Sequence, residues 1–213
     1  SSGSVYVFTR SSTDGGTFTQ QSKLHASDAT AHDWFGASVS LYGDTALIGA
    51  HGDDDNSKSN SGSVYVFTRS STDGGTFTQQ SKLHANDAAV SDQFGRSVSL
   101  HGDTALIGAW KDDDNQKSNS GSVYVFKAPP PPPPLPPPSP SPPPSPPPSP
   151  PSPPPLFLTS LVEYATHPKL YASDAAAKDY FGISVSLYGD TALIGAPADD
   201  DNSKTDSGSV YVF

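Results

Sequence analysis

The sequence predicts an all-β fold made of short, four-stranded repeats, and three observations predict it. The hexapeptide GSVYVF begins at Gly3, Gly62, Gly121 and Gly208, and the first three copies are 59 residues apart. Self-similarity at a fixed period of this length is the mark of a repeat architecture. Within each period, short β-branched and aromatic runs alternate with Gly, Asp, Asn and Ser clusters, and no 3.6-residue periodicity is sustained. The third observation is a proline run, residues 129–155, broken only by Leu135 and by Ser139, Ser141, Ser145, Ser149 and Ser152. Proline fixes φ near −65° and carries no N–H donor, so this run is expected to be a polyproline II rod, about 84 Å long at roughly 3.1 Å per residue.

The elements of one period follow in fixed order. In GSVYVF, Val5 and Val7 point to one face of a strand and Tyr6 and Phe8 to the other. Both faces are apolar, which suits an inner strand covered on both sides. Asp14-Gly15-Gly16 and Asp73-Gly74-Gly75 then supply a turn into a Thr-rich strand, residues 17–24 and 76–83. An Asp-Ala segment follows, with Asp28 and Asp33, Asp87 and Asp92, and Asp174 and Asp179 as expected turn and cap residues. Next comes Phe-Gly (Phe35-Gly36, Phe94-Gly95, Phe181-Gly182), then SVSL, a Gly-Asp turn and TALIGA. SVSLYGDTALIGA reads as a hairpin, because glycine supplies the positive φ that a tight turn needs. An acidic loop leads back to GSVYVF. Four strands per period is the size of one propeller blade.

The pattern Phe-Gly, then Gly195-Ala196-Pro197 (Gly49-Ala50-His51 and Gly108-Ala109-Trp110 in the other copies), then GSVYVF resembles the FG-GAP repeat. That family forms β-propeller blades in integrin α-chains and in many secreted or surface proteins. The resemblance implies three β-propeller-type blades interrupted by the rod, and an extracellular or cell-surface location. Calcium-binding members carry a longer Asp/Asn/Gly loop in the hairpin after Phe-Gly. Here that loop is a bare Gly-Asp turn, so the family's calcium site is not carried over. Such propellers usually have about seven blades, and this chain has three.

Two sets of candidate site residues remain. Asp53, Asp54, Asp55 and Asn56 recur as Asp112, Asp113, Asp114 and Asn115 and as Asp199, Asp200, Asp201 and Asn202. Adjacent carboxylates on a turn offer the oxygens that calcium requires; the alternative is a solvated loop whose charges oppose aggregation. The proline run resembles the Ser-Pro-Pro-Pro repeats of extensins and pherophorin-like cell-wall proteins of plants and green algae. That resemblance implies a hydroxyproline-rich glycoprotein with O-linked glycans on Pro142, Pro143, Pro144, Pro146, Pro147 and Pro148, and on Ser141, Ser145 and Ser149. An unmodified linker is the alternative.

Composition narrows the function. A net charge of −10 argues against nucleic acid and anionic membranes. There is no cysteine, and no apolar run reaches the roughly 18 residues of a membrane span. There is no methionine even at residue 1, so the chain is expected to be a processed product or a fragment. No catalytic constellation emerges, and an enzyme is not expected. His25 and His84 become Tyr171 in the third copy, and Ser38 and Ser40 lack the glycine frame of a nucleophile elbow.

The place of the rod yields the last expectation. It replaces the short turn between GSVYVF at Gly121 and the next Thr-rich strand, so a stiff spacer is expected to hold two β bodies apart. These are residues 1–127, with repeats 1 and 2, and residues 156–213, with repeat 3, joined by the rod at 128–155. A single blade buries too little apolar surface to stand alone. It is therefore expected to complete a propeller in another copy, GSVYVF at Gly208 taking the place of GSVYVF at Gly3. The expected function is that of a structural subunit of a secreted, glycosylated fibre, sheath or appendage. It would polymerise by blade exchange with rods as spacers. The alternative is a propeller that binds a protein or glycan through its loops, with Trp34 and Trp110 as stacking candidates.

Overall fold

A computed structural model describes residues 2–10, 16–70, 75–128, 168–200 and 205–213. Among the described residues thirteen strands lie in four antiparallel sheets, with two short 3₁₀ turns, Asp55–Ser57 and Asp114–Gln116. β1 (Val5–Arg10) and β2 (Phe18–Leu24) form a two-stranded sheet. β3 (Ser38–Tyr42), β4 (Thr45–Ala50), β5 (Ser63–Arg69) and β6 (Phe77–Leu83) form a four-stranded one in sequence order. The same order recurs in β7 (Phe94–His101), β8 (Thr104–Ala109), β9 (Ser122–Lys127) and β10 (Lys169–Leu170). β11 (Ser184–Tyr188), β12 (Thr191–Ala196) and β13 (Ser209–Val212) make a three-stranded sheet.

The expected hairpins are present. Tyr42 pairs with Thr45 across Gly43-Asp44, and Gly43, Gly102 and Gly189 take φ values of 56°, 59° and 56° in the three copies. That left-handed first position is what a two-residue hairpin turn with the twist of its strands requires. The inner-strand expectation for GSVYVF also holds where neighbours are present on both sides. Val64, Tyr65, Val66 and Phe67 of β5 are all buried, as are Val123 and Tyr124 of β9. The phenylalanine of each Phe-Gly sits edge-on against the Tyr and Phe of its own sheet's GSVYVF strand. Phe94 lies 5.4 Å from Tyr124 and 5.9 Å from Phe126, ring centre to ring centre, a favourable aromatic geometry.

One expectation is corrected. The proline-rich insertion does not hold two β bodies apart: β10, beyond it, pairs with β9, before it. Lys169 lies opposite Tyr124 and Leu170 opposite Val123, the register that Lys82 and Leu83 hold against Tyr65 and Val64. Val125 N–H donates to the Pro168 carbonyl at 2.9 Å, and Leu170, Ala172 and Phe181 pack into one core with Leu106 and Val123. The described residues on either side of 129–167 therefore belong to one sheet, as Arg69 and Ser81 do in the preceding repeat. Loop-closure entropy grows only with the logarithm of length, so a long insertion costs about 1–2 kcal/mol more than a short turn, and the pairing and burial beyond it outweigh that. Replacing residues 129–167 by residues 70–80, the equivalent stretch of the preceding repeat, is expected to leave the circular dichroism spectrum unchanged and Tm within a few degrees. Loss of protection at Ile194 in hydrogen exchange would show that the insertion is needed to seat the third repeat. Repeat 3 stacks directly on repeat 2, with β11 against β7 and β8, as β7 stacks on β3 and β4.

Candidate functional site

The chemistry-bearing residues of each repeat converge in two places: a lysine-centred cluster at the outer strands, and the seam between successive sheets. The first grows from alternation along the strands. On β5, Tyr65 turns its ring inward onto Phe35 and its hydroxyl toward the acidic segment, donating to Asp28 Oδ1 at 2.7 Å. Opposite it on β6, Lys82 places Nζ 2.8 Å from Asp28 Oδ2, 2.8 Å from Asp53 Oδ2 and 3.7 Å from Asp55 Oδ1. The second repeat repeats the arrangement. Tyr124 donates to Asp87 at 2.7 Å, and Lys169 lies 2.9 Å from Asp87, 2.6 Å from Asp112 and 3.8 Å from Asp114.

Burial opposes every charge in these clusters, and the pairing overrides it. Burial alone would raise Asp28 and Asp87. The hydrogen bonds from Lys82 and Tyr65, and from Tyr124 and Lys169, hold both carboxyls below the usual range. Burial would likewise lower Lys82 and Lys169, and their aspartate partners hold both above the ordinary lysine range. The tyrosine hydroxyls are pushed up by burial, reinforced by the carboxylates beside them. Each cluster is thus a neutral phenol and an ammonium shared between carboxylates.

The acidic-loop candidates are divided by this geometry. Asp53 and Asp112, the first of each loop, are buried and face the lysine; each also accepts a hydroxyl hydrogen bond, Asp53 from Ser63 at 2.6 Å and Asp112 from Ser122. Asp54, Asp113 and Asp200 are exposed and close their own loops, accepting N–H bonds at 2.7 Å from Asn60, Asn119 and Asp206. Asp55 and Asp114 open the 3₁₀ turns and lie farther from the lysines. Asp199 accepts from Tyr211 at 3.2 Å. Asp201 and Asn202 lie outside the described residues, as do Pro142, Pro143, Pro144, Pro146, Pro147, Pro148, Ser141, Ser145 and Ser149. The side chains of Asn56 and Asn115 are likewise not described. Among the described residues no three acidic or histidine side chains converge as a metal site. The cation held at Asp53 and at Asp112 is the lysine ammonium.

Asp33, Asp92 and Asp179 are turn residues, as expected: Asp33 accepts the Thr30 N–H at 2.5 Å and Asp92 the Ala89 N–H at 2.6 Å. Burial pushes the Asp92 carboxyl up to about 6. Trp110 packs into the seam between repeats 2 and 3, its Nε1–H on Gln93 at 2.7 Å and its ring 4.9 Å from Tyr180. Trp34 lies 4.8 Å from His51, whose imidazole is pushed down to about 4 by burial and by Arg96 and Lys111.

The seam is a second constellation that single residues do not reveal. Ser38 Oγ donates to the Gly95 carbonyl of the next repeat at 2.8 Å, and Ser97 Oγ to that of Gly182 at 2.7 Å. Ser40 and Ser99 hydroxyls accept the Leu100 and Leu187 N–H groups at 3.0 and 2.9 Å. A Cβ added at Gly49 would stand 2.1 Å from the Gly95 carbonyl oxygen, and one at Gly108 2.0 Å from that of Gly182. The glycine of TALIGA is therefore a contact surface, held bare so that the next Phe-Gly can lie on it.

An FG-GAP repeat model matches residues 18–67, 77–126 and 165–213, together more than half of the chain. The chain belongs to the FG-GAP repeat family. The seams between repeats are thus built from its signature elements, the Phe-Gly of one FG-GAP repeat closing on the Gly-Ala of the one before. No curated protein matches the chain. Among the described residues no helix is long and apolar enough to cross a membrane.

The sequence carries a signal for the lysine clusters: Lys82 and Lys169 stand at the same place in the repeat, three residues before Ala-Asn-Asp or Ala-Ser-Asp. Only the strand register shows that each lysine reaches both the loop before it and the segment of the preceding repeat.

Proposed function

We propose that this FG-GAP chain is a structural subunit of a secreted or cell-surface fibre, sheath or appendage, which associates with further copies of itself by exchanging blade strands. One observation carries the reading. The same hexapeptide, GSVYVF, is buried on both faces in β5 and β9, yet half-covered at β1 and at β13, on opposite faces. In β1 the Val5 and Val7 face packs on the Phe35 core while Tyr6 and Phe8, each 51% exposed, face outward. In β13 Tyr211 rests on Phe181 while Val210 and Val212 are 67% and 68% exposed. A strand occupying both places at once would be covered as β5 is. Open strand edges of this kind template pairing with another chain, and a head-to-tail contact between non-identical surfaces propagates into a filament.

The extracellular assignment rests on the family, whose members are typical of extracellular or surface proteins, and the proline-rich insertion adds a hydroxyproline-type O-glycosylated segment. Electron micrographs of the 213-residue chain concentrated in physiological salt test the reading. Filaments or curved arrays with a regular repeat are expected, and uniform single particles of about 22 kDa at every concentration would overturn it.

A further inference from the structure

The lysine-centred cluster is complete in two repeats and split between the ends of the described chain in the others. In the β11–β13 sheet Tyr211 donates to Asp174 at 2.8 Å and to Asp199 at 3.2 Å, but among the described residues no lysine lies between the two carboxylates. In the first sheet Lys23 stands over the Tyr6 ring, 5.3 Å from its centre, and among the described residues no carboxylate meets it. Lys82 over Tyr65 and Lys169 over Tyr124, at 5.3 and 5.1 Å, hold the same posture within complete clusters. One end carries the acidic half of the site and the other the basic half.

We infer that β13 of one copy displaces β1 of a second copy and pairs with that copy's β2, so that Lys23 of the second copy enters between Asp174 and Asp199 of the first. This rests on the self-association proposed above and names its partner, its polarity and its register. The exchange is between identical hexapeptides, so the second copy loses Tyr6 opposite Lys23 and Val5 opposite Leu24 and gains Tyr211 and Val210 in their places. The result is a four-stranded sheet with the register of β3 to β6.

Apolar and aromatic surfaces agree with this polarity. Within the chain, Leu47 of one repeat is buried with Val98 and Leu100 of the next, and Leu106 with Val185 and Leu187. Leu193, the third member of that series, is 45% exposed, and Val39 and Leu41, which would meet it from a second copy, are 59% and 64% exposed. A ladder of rings along the hairpin turns, Tyr42 to His101 at 4.9 Å and His101 to Tyr188 at 5.1 Å, ends on an exposed tyrosine at both sides. The docking surface is lined by Ile183, Ser184, Gly195, Pro197 and Val210, the surroundings of the bare TALIGA glycine.

The chain has no cysteine, so engineered thiols report the register without background. Ser22 lies opposite Val7, and in the exchanged sheet it would lie opposite Val212. Directly opposed strand residues have Cα atoms about 4.5–5.5 Å apart, within disulfide reach. Chains carrying Val212→Cys, mixed with chains carrying Ser22→Cys and oxidised, are expected to give a mixed dimer linking the two sites. If the mixture sediments as assemblies but yields no such link, the exchange is overturned while self-association stands. If nothing assembles, self-association itself is overturned. Lys23→Glu is expected to weaken assembly more than tenfold, as placing like charges together at an interface does, and Lys23→Glu with Asp174→Lys to recover part of it. Lys23→Glu chains that assemble as well as the parent would overturn the role of the lysine.

Discussion

Gly108→Ala is expected to detach the third repeat from the second. The new Cβ would stand 2.0 Å from the Gly182 carbonyl oxygen, a backbone atom that cannot rotate away, so relief requires the two sheets to part. Overpacking of this kind costs about 3 kcal/mol, which in a folded unit of this size lowers Tm by roughly 6–12 °C. Because stability in stacked repeats is nearly a sum of repeat and neighbour terms, the loss should appear locally. Hydrogen-exchange protection is expected to fall at Ile194 and Ala196, buried in the third core, and to persist at Leu47 and Val66. The backbone is not the cause, since Gly108 is not among the glycines with positive φ. Unchanged melting and uniform protection would show that the seam is not close-packed at this point.

The second large effect lies at Lys169. Lys169→Met is expected to cost about 2–4 kcal/mol, because it leaves Asp112 buried without its cation and strips Asp87 of one partner. Removing one member of a buried pair is expensive chiefly through the charge left behind. Lys169→Met combined with Asp112→Asn should therefore recover a large share of the loss in chemical denaturation, a sign that a structural ion pair, not side-chain packing, was removed. The same change bears on the proline-rich insertion, since Lys169 is the second described residue after it. If the pairing of β10 with β9 is what returns the chain to the β7–β10 sheet, weakening it should loosen Ala172 and Phe181 as well.

The strands and the hairpins were legible in the sequence because each depends on local pattern. The alternation in GSVYVF, the glycine of the Gly-Asp turn and the 59-residue period require no knowledge of neighbours. The course of the chain after the proline run was not legible. Rod stiffness argued for separation, whereas the return is decided by contacts between residues far apart in sequence: Lys169 with Asp87 and Asp112, and Leu170 with Val123. The acidic loops were legible as charged turns, but not as half of a lysine site, because the lysine arrives from another strand at a register that only the sheet fixes. The glycine of TALIGA carried no signal of its own. A strand glycine reads as a weak point until the carbonyl lying on it is seen.

The central claim is that one seam, made of Phe-Gly against a bare TALIGA glycine, both stacks the repeats within the chain and joins chains together. Gly195 tests it directly. Its added Cβ would meet only Ser184 of its own hairpin, Oγ at 2.5 Å, a side-chain atom free to rotate, whereas Gly49 and Gly108 meet the next repeat. Sedimentation velocity of the Gly195→Ala chain is predicted to show a folded monomer of 22.1 kDa, with the melting temperature of the parent, under conditions where the parent assembles. Assembly equal to that of the parent would contradict the account.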